Sequence, residues 1–419
     1  MRYRVILLII AVLPIVAFAQ SNERVYEELD FRFVTPGARA IGMGKTFVGL
    51  ADDATAAYSN PAGLSNLLEQ EFSFEFNTTL IRHHRFIPSL DQETQVFGDR
   101  VYAPSFFSYA YPDKSFTFSV FRNVVQHYRE DFSFRGRRIP ELGQFENGAF
   151  GNISNDSVNY GFGISYVVNR YISIGGTLEV ATMDVDTIGG TGQADDPRST
   201  SDTHDSATRP AGIIGILIKP NPRISFGAVF NSGAKFEMHT TLIGQFVFSK
   251  GDIRDLTGTI QPIEFVIPSR YSFGVSGKAL QNLTLALDVS RIDYSSQITK
   301  NFLILNFISQ LTRANYFIED VTELHAGGEY RFYRTHQTFA VRAGVFTDPD
   351  HQLHFRALAG TDPFAAAVEN FRFNSLKQHT DVGVTAGFGA AFANRFQADA
   401  AYSYSRDSRE FILSFVVKL

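Results

Sequence analysis

The pattern that most constrains this chain is strict alternation held over long segments. Leu283, Leu285, Leu287 and Val289 alternate with Thr284, Ala286, Asp288 and Ser290. Val158, Tyr160, Phe162, Ile164 and Tyr166 alternate with Asn159, Gly161, Gly163 and Ser165, and Phe396, Ala398, Ala400, Tyr402 and Tyr404 with Gln397, Asp399, Ala401 and Ser403. Period two belongs to a strand, because successive side chains point to opposite faces. One face here is apolar and the other small, polar or charged, as in a barrel wall between lipid and a wet lumen. Composition supports this. Mean hydropathy is −0.07, too polar for a bundle of membrane helices. Yet hydrophobic residues make up 44% of the chain and Phe alone numbers 41, so apolar material is plentiful but spread over every second position.

The N-terminus predicts export. Arg2 and Arg4 precede an apolar run over residues 5–18, and Ala17-Phe18-Ala19 forms a small-x-small cleavage site. Residues 1–19 are therefore expected to be a signal peptide, the run being shorter than the roughly 20 residues of a spanning helix. With no Cys, neither disulfides nor thiolate metal sites are available. A net charge of −5 argues against nucleic acid as a partner. With no Trp, any interfacial aromatic belt must come from Phe and Tyr.

Connections alternate between short and long. Six are turn-like: Pro112-Asp113-Lys114, Asn169-Arg170, Pro220-Asn221-Pro222, Gln281-Asn282, Arg334-Thr335-His336 and Asn394-Arg395. Longer polar stretches lie between them, at about residues 85–101, 132–156, 188–209, 242–266, 301–320 and 348–378. Six hairpins, one strand before them (71–81) and one after (410–419) predict an all-β, antiparallel transmembrane barrel of about 14 strands over residues 71–419, with short turns in the periplasm. The last strand sets Phe411, Leu413, Phe415, Val417 and Leu419 on one face, similar to the C-terminal signal of the barrel-assembly machinery. Residues 20–70 are left outside the wall. They are rich in glycine and alanine, and are expected to fold back into the lumen as a plug.

The stretch over residues 37–64, with Ala51-Asp52-Asp53-Ala54 followed by Asn60-Pro61-Ala62, resembles the N-terminal hatch of the FadL/TodX superfamily of outer-membrane transporters. Ile267-Pro268 through Phe273-Gly274, the hairpin around Lys219-Pro220-Asn221-Pro222-Arg223, and the segments 285–294 and 327–344 are similar to wall strands of that superfamily. The resemblance implies uptake of hydrophobic molecules such as long-chain fatty acids, other lipids or aromatic hydrocarbons, by hatch movement and sideways release through the wall. The spelling Gly37-Ala-Arg-Ala-x-Gly42-Met-Gly44 also resembles a PorV-like branch, which implies the alternative of a scaffold or shuttle in protein secretion. Neither reading implies an enzyme, a cofactor or a metal.

Several residues are candidates for particular roles. Gly42 and Gly44 let the plug turn tightly; Gly42-Met43-Gly44-Lys45-Thr46 is no phosphate loop, because the required first glycine is Arg39. Asp52 and Asp53 are expected to hold the plug to the wall, and Asn60, with Pro61 and Ala62, to fix a turn. Glu179, Arg270, Lys278, Asp288, Glu329, Arg331 and Arg342 fall on lumen-facing positions, where they either form ladders or meet ligand; Arg270 and Arg342 are the candidates to receive a carboxylate. Phe302, Leu305 and Phe307, in a long loop, form an apolar patch suited to capturing hydrophobic ligand, and residues 242–248 are similar.

Overall fold

The computed structural model describes residues 36–82, 98–134, 137–139, 144–146, 149–193, 196–239, 241–247, 253–259, 262–299, 313–361, 363, 366, 380–393, 395–406 and 408–419. The expected signal peptide and Phe302, Leu305 and Phe307 lie outside the described residues.

Fourteen strands form the wall: β1 (Glu71–Arg82), β2 (Gly98–Asp113), β3 (Phe116–Phe134), β4 (Ala149–Val167), β5 (Ile172–Gln193), β6 (Asp196–Asn221) and β7 (Ile224–Asn231). They continue as β8 (Arg270–Lys278), β9 (Leu283–Ile292), β10 (Val321–Tyr333), β11 (Gln337–Asp348), β12 (Asp381–Phe392), β13 (Phe396–Tyr404) and β14 (Ser408–Lys418). Each pairs antiparallel with the next, and β14 pairs with β1, so the sheet closes without an edge. All six short turns fall where the sequence predicts them, at the end where β1 begins and β14 finishes.

The alternation resolves into outside and inside. Phe162, Phe273, Leu285, Leu287, Val384, Phe388 and Phe411 are exposed on the exterior, while Asn159, Ser165, Ser272, Asp288, Thr385 and Asp399 face inward and are buried. This apolar exterior makes a membrane-spanning barrel, since a closed sheet satisfies every backbone group without water.

The long polar stretches are partly strand. β5 runs to Gln193 and β6 starts at Asp196, so most of 188–209 is a hairpin arm rather than a loop. Likewise, 241–247 pairs with 253–259 and 234–238 with 263–267. Ladder bonds are made by backbone, so a strand that has left the bilayer can be polar on both faces without losing them.

One seam interrupts the regular wall. After β7, Gly233 takes φ 63 and the chain turns inward, burying Ala234, Phe236 and Met238. Among the described residues, backbone pairing of β6 with this segment ends at Gly212, whose O accepts from Ser232 N–H and whose N–H donates to Ser232 Oγ. Pairing of β6 on this side resumes at Thr200–Asp202 with residues 241–243. Pro210 lies between, where a residue without an N–H belongs on an unpaired edge. Asp205 spans the seam by accepting from the backbone N–H and ring Nδ1 of His239, at 2.7 and 3.0 Å. That backbone N–H is the chief cause holding the Asp205 carboxyl below its ordinary range. A depressed carboxylate pKa stabilises the folded form above its unfolded value of about 4 and ceases to do so as pH falls through the folded value. The His239 amide is therefore expected to stay protected from hydrogen exchange at pH 7 and to lose protection below about pH 4. Protection unchanged by Asp205→Asn would contradict the latch.

Candidate functional site

Residues 36–67 are enclosed by the wall. A short helix, Ala38–Gly42, follows Gly37, and Gly44 and Lys45 turn the chain with φ 71 and 68. Asp53 Oδ1 accepts from Thr55 N–H at 2.9 Å and Oγ1 at 2.6 Å. Asn60 caps a 3-10 helix, Pro61–Asn66, by accepting from Ala62 N–H at 3.2 Å, with proline at the first position where its missing N–H costs nothing.

This inner segment is bonded to inward-facing side chains around most of the barrel. Gly37 N–H donates to the Glu75 carboxylate and Ala38 N–H to Ser414 Oγ at 3.0 Å. Thr385 Oγ1 accepts from Gly44 N–H at 2.9 Å and donates to Gly42 O at 3.1 Å. Asp288 Oδ2 takes the N–H groups of Phe47 and Val48 at 2.7 and 2.9 Å. Ser276, Ser108 and Thr177 donate to the carbonyls of Gly49, Ala54 and Ala57. Asn60 Nδ2 donates to Val48 O and to Ile216 O on β6. The inward glycines serve the same contact. A Cβ on Gly175, Gly227, Gly274, Gly327 or Gly344 would land on the inner segment's backbone. The wall is thus stripped of side chains where the segment presses against it.

Charge is concentrated at Arg39. Its guanidinium binds Asp52 at 2.6 Å, lies 3.6 Å from Asp53, and reaches Glu329 on β10 at 3.1 Å. Glu329 is also bonded by Arg342 at 2.7 Å and by Arg331, and Arg342 bonds Asp399 at 2.7 Å. Asp52 also interacts electrostatically with Lys219 on β6. Asp52 and Asp53 grip Arg39 within the segment, and Arg39 makes the bond to the wall. Arg342 belongs to a ladder across the wall, held by carboxylates on two sides. Arg270, buried on β8, interacts electrostatically with Glu179 and Glu323. Lys278 is exposed at the short-turn end.

An apolar cluster lies on the other side of the inner segment from the short turns. On β5, Gly175 and Thr177 meet the segment, Glu179 follows, and Ala181, Met183 and Val185 continue the inward row into the cluster. Phe236, Met238, Ile292, Tyr294, Leu353 and Phe355 complete it, with at most 2% of each exposed. Tyr294 stacks on His351 at 4.3 Å between ring centroids, closing the cluster toward the long arms. Val125, where β3 shifts register against β4, also points into it. The sequence reading missed this cluster. The available signal was the apolar residues at 181, 183 and 185, on a row that alternation makes polar elsewhere.

No protein-family model and no curated protein matches the chain by sequence. Solved structures match it by shape. A Pseudomonas aeruginosa FadL homologue superposes with a TM-score of 0.64 at 15% identity, over 93% of this chain and 99% of its own. The Pseudomonas putida toluene transporter TodX gives 0.61 at 15% identity, over 93% and 99%. The Ralstonia pickettii toluene transporter TbuX gives 0.60 at 15% identity, with the same coverage. The chain shares the fold of these proteins along nearly its whole length, that of a fourteen-stranded outer-membrane barrel.

Proposed function

We propose that this chain is an outer-membrane channel for hydrophobic molecules, in which the inner segment is a movable hatch. The observation that carries the reading is the apolar cluster beyond the hatch, separate from the apolar residues of the wall that pack on the hatch itself. A polar lumen suits water and ions, and apolar side chains gathered within it suit a ligand that shuns water. The shared fold supports the same class, since TodX and TbuX are toluene transporters. Long-chain fatty acids and monoaromatic hydrocarbons are the candidate cargoes.

The hatch is held by hydrogen bonds, by one charged hub and by an apolar contact in which Phe47, Tyr58 and Leu64 pack with Phe106, Phe121, Ile213 and Val229 of the wall; the polar bonds can be exchanged for water as it shifts. Cargo then leaves sideways through the seam beside β6, where the described residues form no ladder bonds and Ala207 and Ala211 pack against the cluster. Arg270 lies between hatch and cluster, and Phe302, Leu305 and Phe307 are the proposed capture patch. The outward row Phe411, Leu413 and Phe415 supports recognition of β14 by the barrel-assembly machinery.

Equilibrium binding of labelled toluene and of fatty acids of several lengths to the purified barrel tests the reading. Saturable binding that Met183→Asp reduces at least tenfold is expected. No binding, together with capture of a secreted protein by crosslinking in intact cells, would favour the shuttle alternative instead.

A further inference from the structure

We propose that the cargo carries a hydroxyl or amino group on its apolar body, and that Glu179 and Asn159 receive this donor at the floor of the apolar cluster. The proposal rests on reading the cluster as the ligand site. Glu179 stands on the inward row of β5, two residues before Ala181 and four before Met183, both fully buried in the cluster. Its side chain is itself buried, with 2% exposed. Asn159, on the inward row of β4 and 5% exposed, donates from Nδ2 to Glu179 Oε1 at 3.3 Å. This bond fixes the amide, since a flip would set oxygen against oxygen.

Two acceptors remain. Glu179 Oε2 and Asn159 Oδ1 meet no hydrogen-bond donor among the described residues, and Asn155 Oδ1, farther along the same row of β4, is in the same condition. Buried polar atoms nearly always find a partner, and three orphans on one patch of wall are all of one kind. A ligand completes the site if it brings donors. A hydroxyl or amine does so and leaves its hydrocarbon body against Ala181 and Met183. A carboxylate brings only acceptors, and it would have to share Arg270 with Glu179 and Glu323.

Four probes of equal length separate the possibilities: decane, decanol, decylamine and decanoate, each titrated against the full barrel in nanodiscs by equilibrium dialysis. Decanol and decylamine are expected to bind about tenfold tighter than decane and decanoate, the value of one hydrogen bond to a buried carboxylate. In Glu179→Leu the ratio of decanol to decane affinity should fall close to one, with heat-modifiable gel mobility confirming that the barrel has assembled. Equal binding of all four, or tightest binding of decanoate, overturns the donor proposal and leaves the channel reading standing. Binding of none overturns the channel reading, and the donor proposal with it. The wild-type comparison decides the matter even if the variant does not assemble.

Discussion

Gly344→Val is expected to unseat the plug from a barrel that still assembles. A Cβ at this position lands on the amide nitrogen and Cα of Gly44, so the collision is between two backbones rather than with a side chain able to swing away. Overpacking a core with side chains that can adjust costs about 1–3 kcal/mol. Here Thr385 pins Gly44 from the next strand at 2.9 Å, so the cost should exceed that range. The wall itself does not depend on the substitution, because β11 pairs with β10 and β12 through backbone. The expected results are protease cleavage within residues 36–70 and bilayer conductance far above that of the wild type. Gly176→Val is the control, because its nearest neighbour would be Ile213 O at 3.7 Å, which is ordinary contact. A Gly344→Val barrel with a protected plug would show that the inward glycines are not docking positions.

Glu329→Gln should have the second largest effect. Its carboxylate is fully buried and serves Arg39, Arg331 and Arg342 together. Removing one partner of a buried ion pair leaves an uncompensated charge and costs about 3–5 kcal/mol. Because Arg39 belongs to the plug and Arg342 to the wall, the loss should appear as faster hydrogen exchange over residues 38–44 before the wall ladders open. Arg39→Gln in the same chain removes one stranded cation, so the double variant should be less destabilised than the sum of the two single changes. Strict additivity would mean that Arg39 and Glu329 do not act as a pair.

These two predictions also mark where the sequence was legible. The wall could be read because period two is a local property: Leu285 and Asp288 declare their faces without reference to any partner. Five of the six turns were legible for the same reason, since Asn and Pro act on their own backbone, and Arg334-Thr335-His336 was legible as a polar break between two alternating runs. Gly327 and Gly344 were visible as glycines on a polar face, but what they accommodate lies some three hundred residues away in the chain. Arg39 was visible only as a residue in the hatch motif. Its partner Glu329 is 290 positions distant, and no local pattern reports such a pairing. The apolar cluster was hidden for a further reason. Phe236 and Met238 lie on a segment that leaves the wall at Gly233, and alternation alone does not say when a strand departs from its sheet.

On this reading the barrel is closed to water yet open to apolar cargo. Proteoliposomes containing the full chain test it most directly when a labelled hydrophobic probe and a labelled sugar are offered together. Saturable accumulation of decanol or toluene is expected with no passage of the sugar, and entry of the sugar only in Gly344→Val. Free entry of the sugar through the wild-type barrel without saturable accumulation of either hydrophobic probe would contradict it.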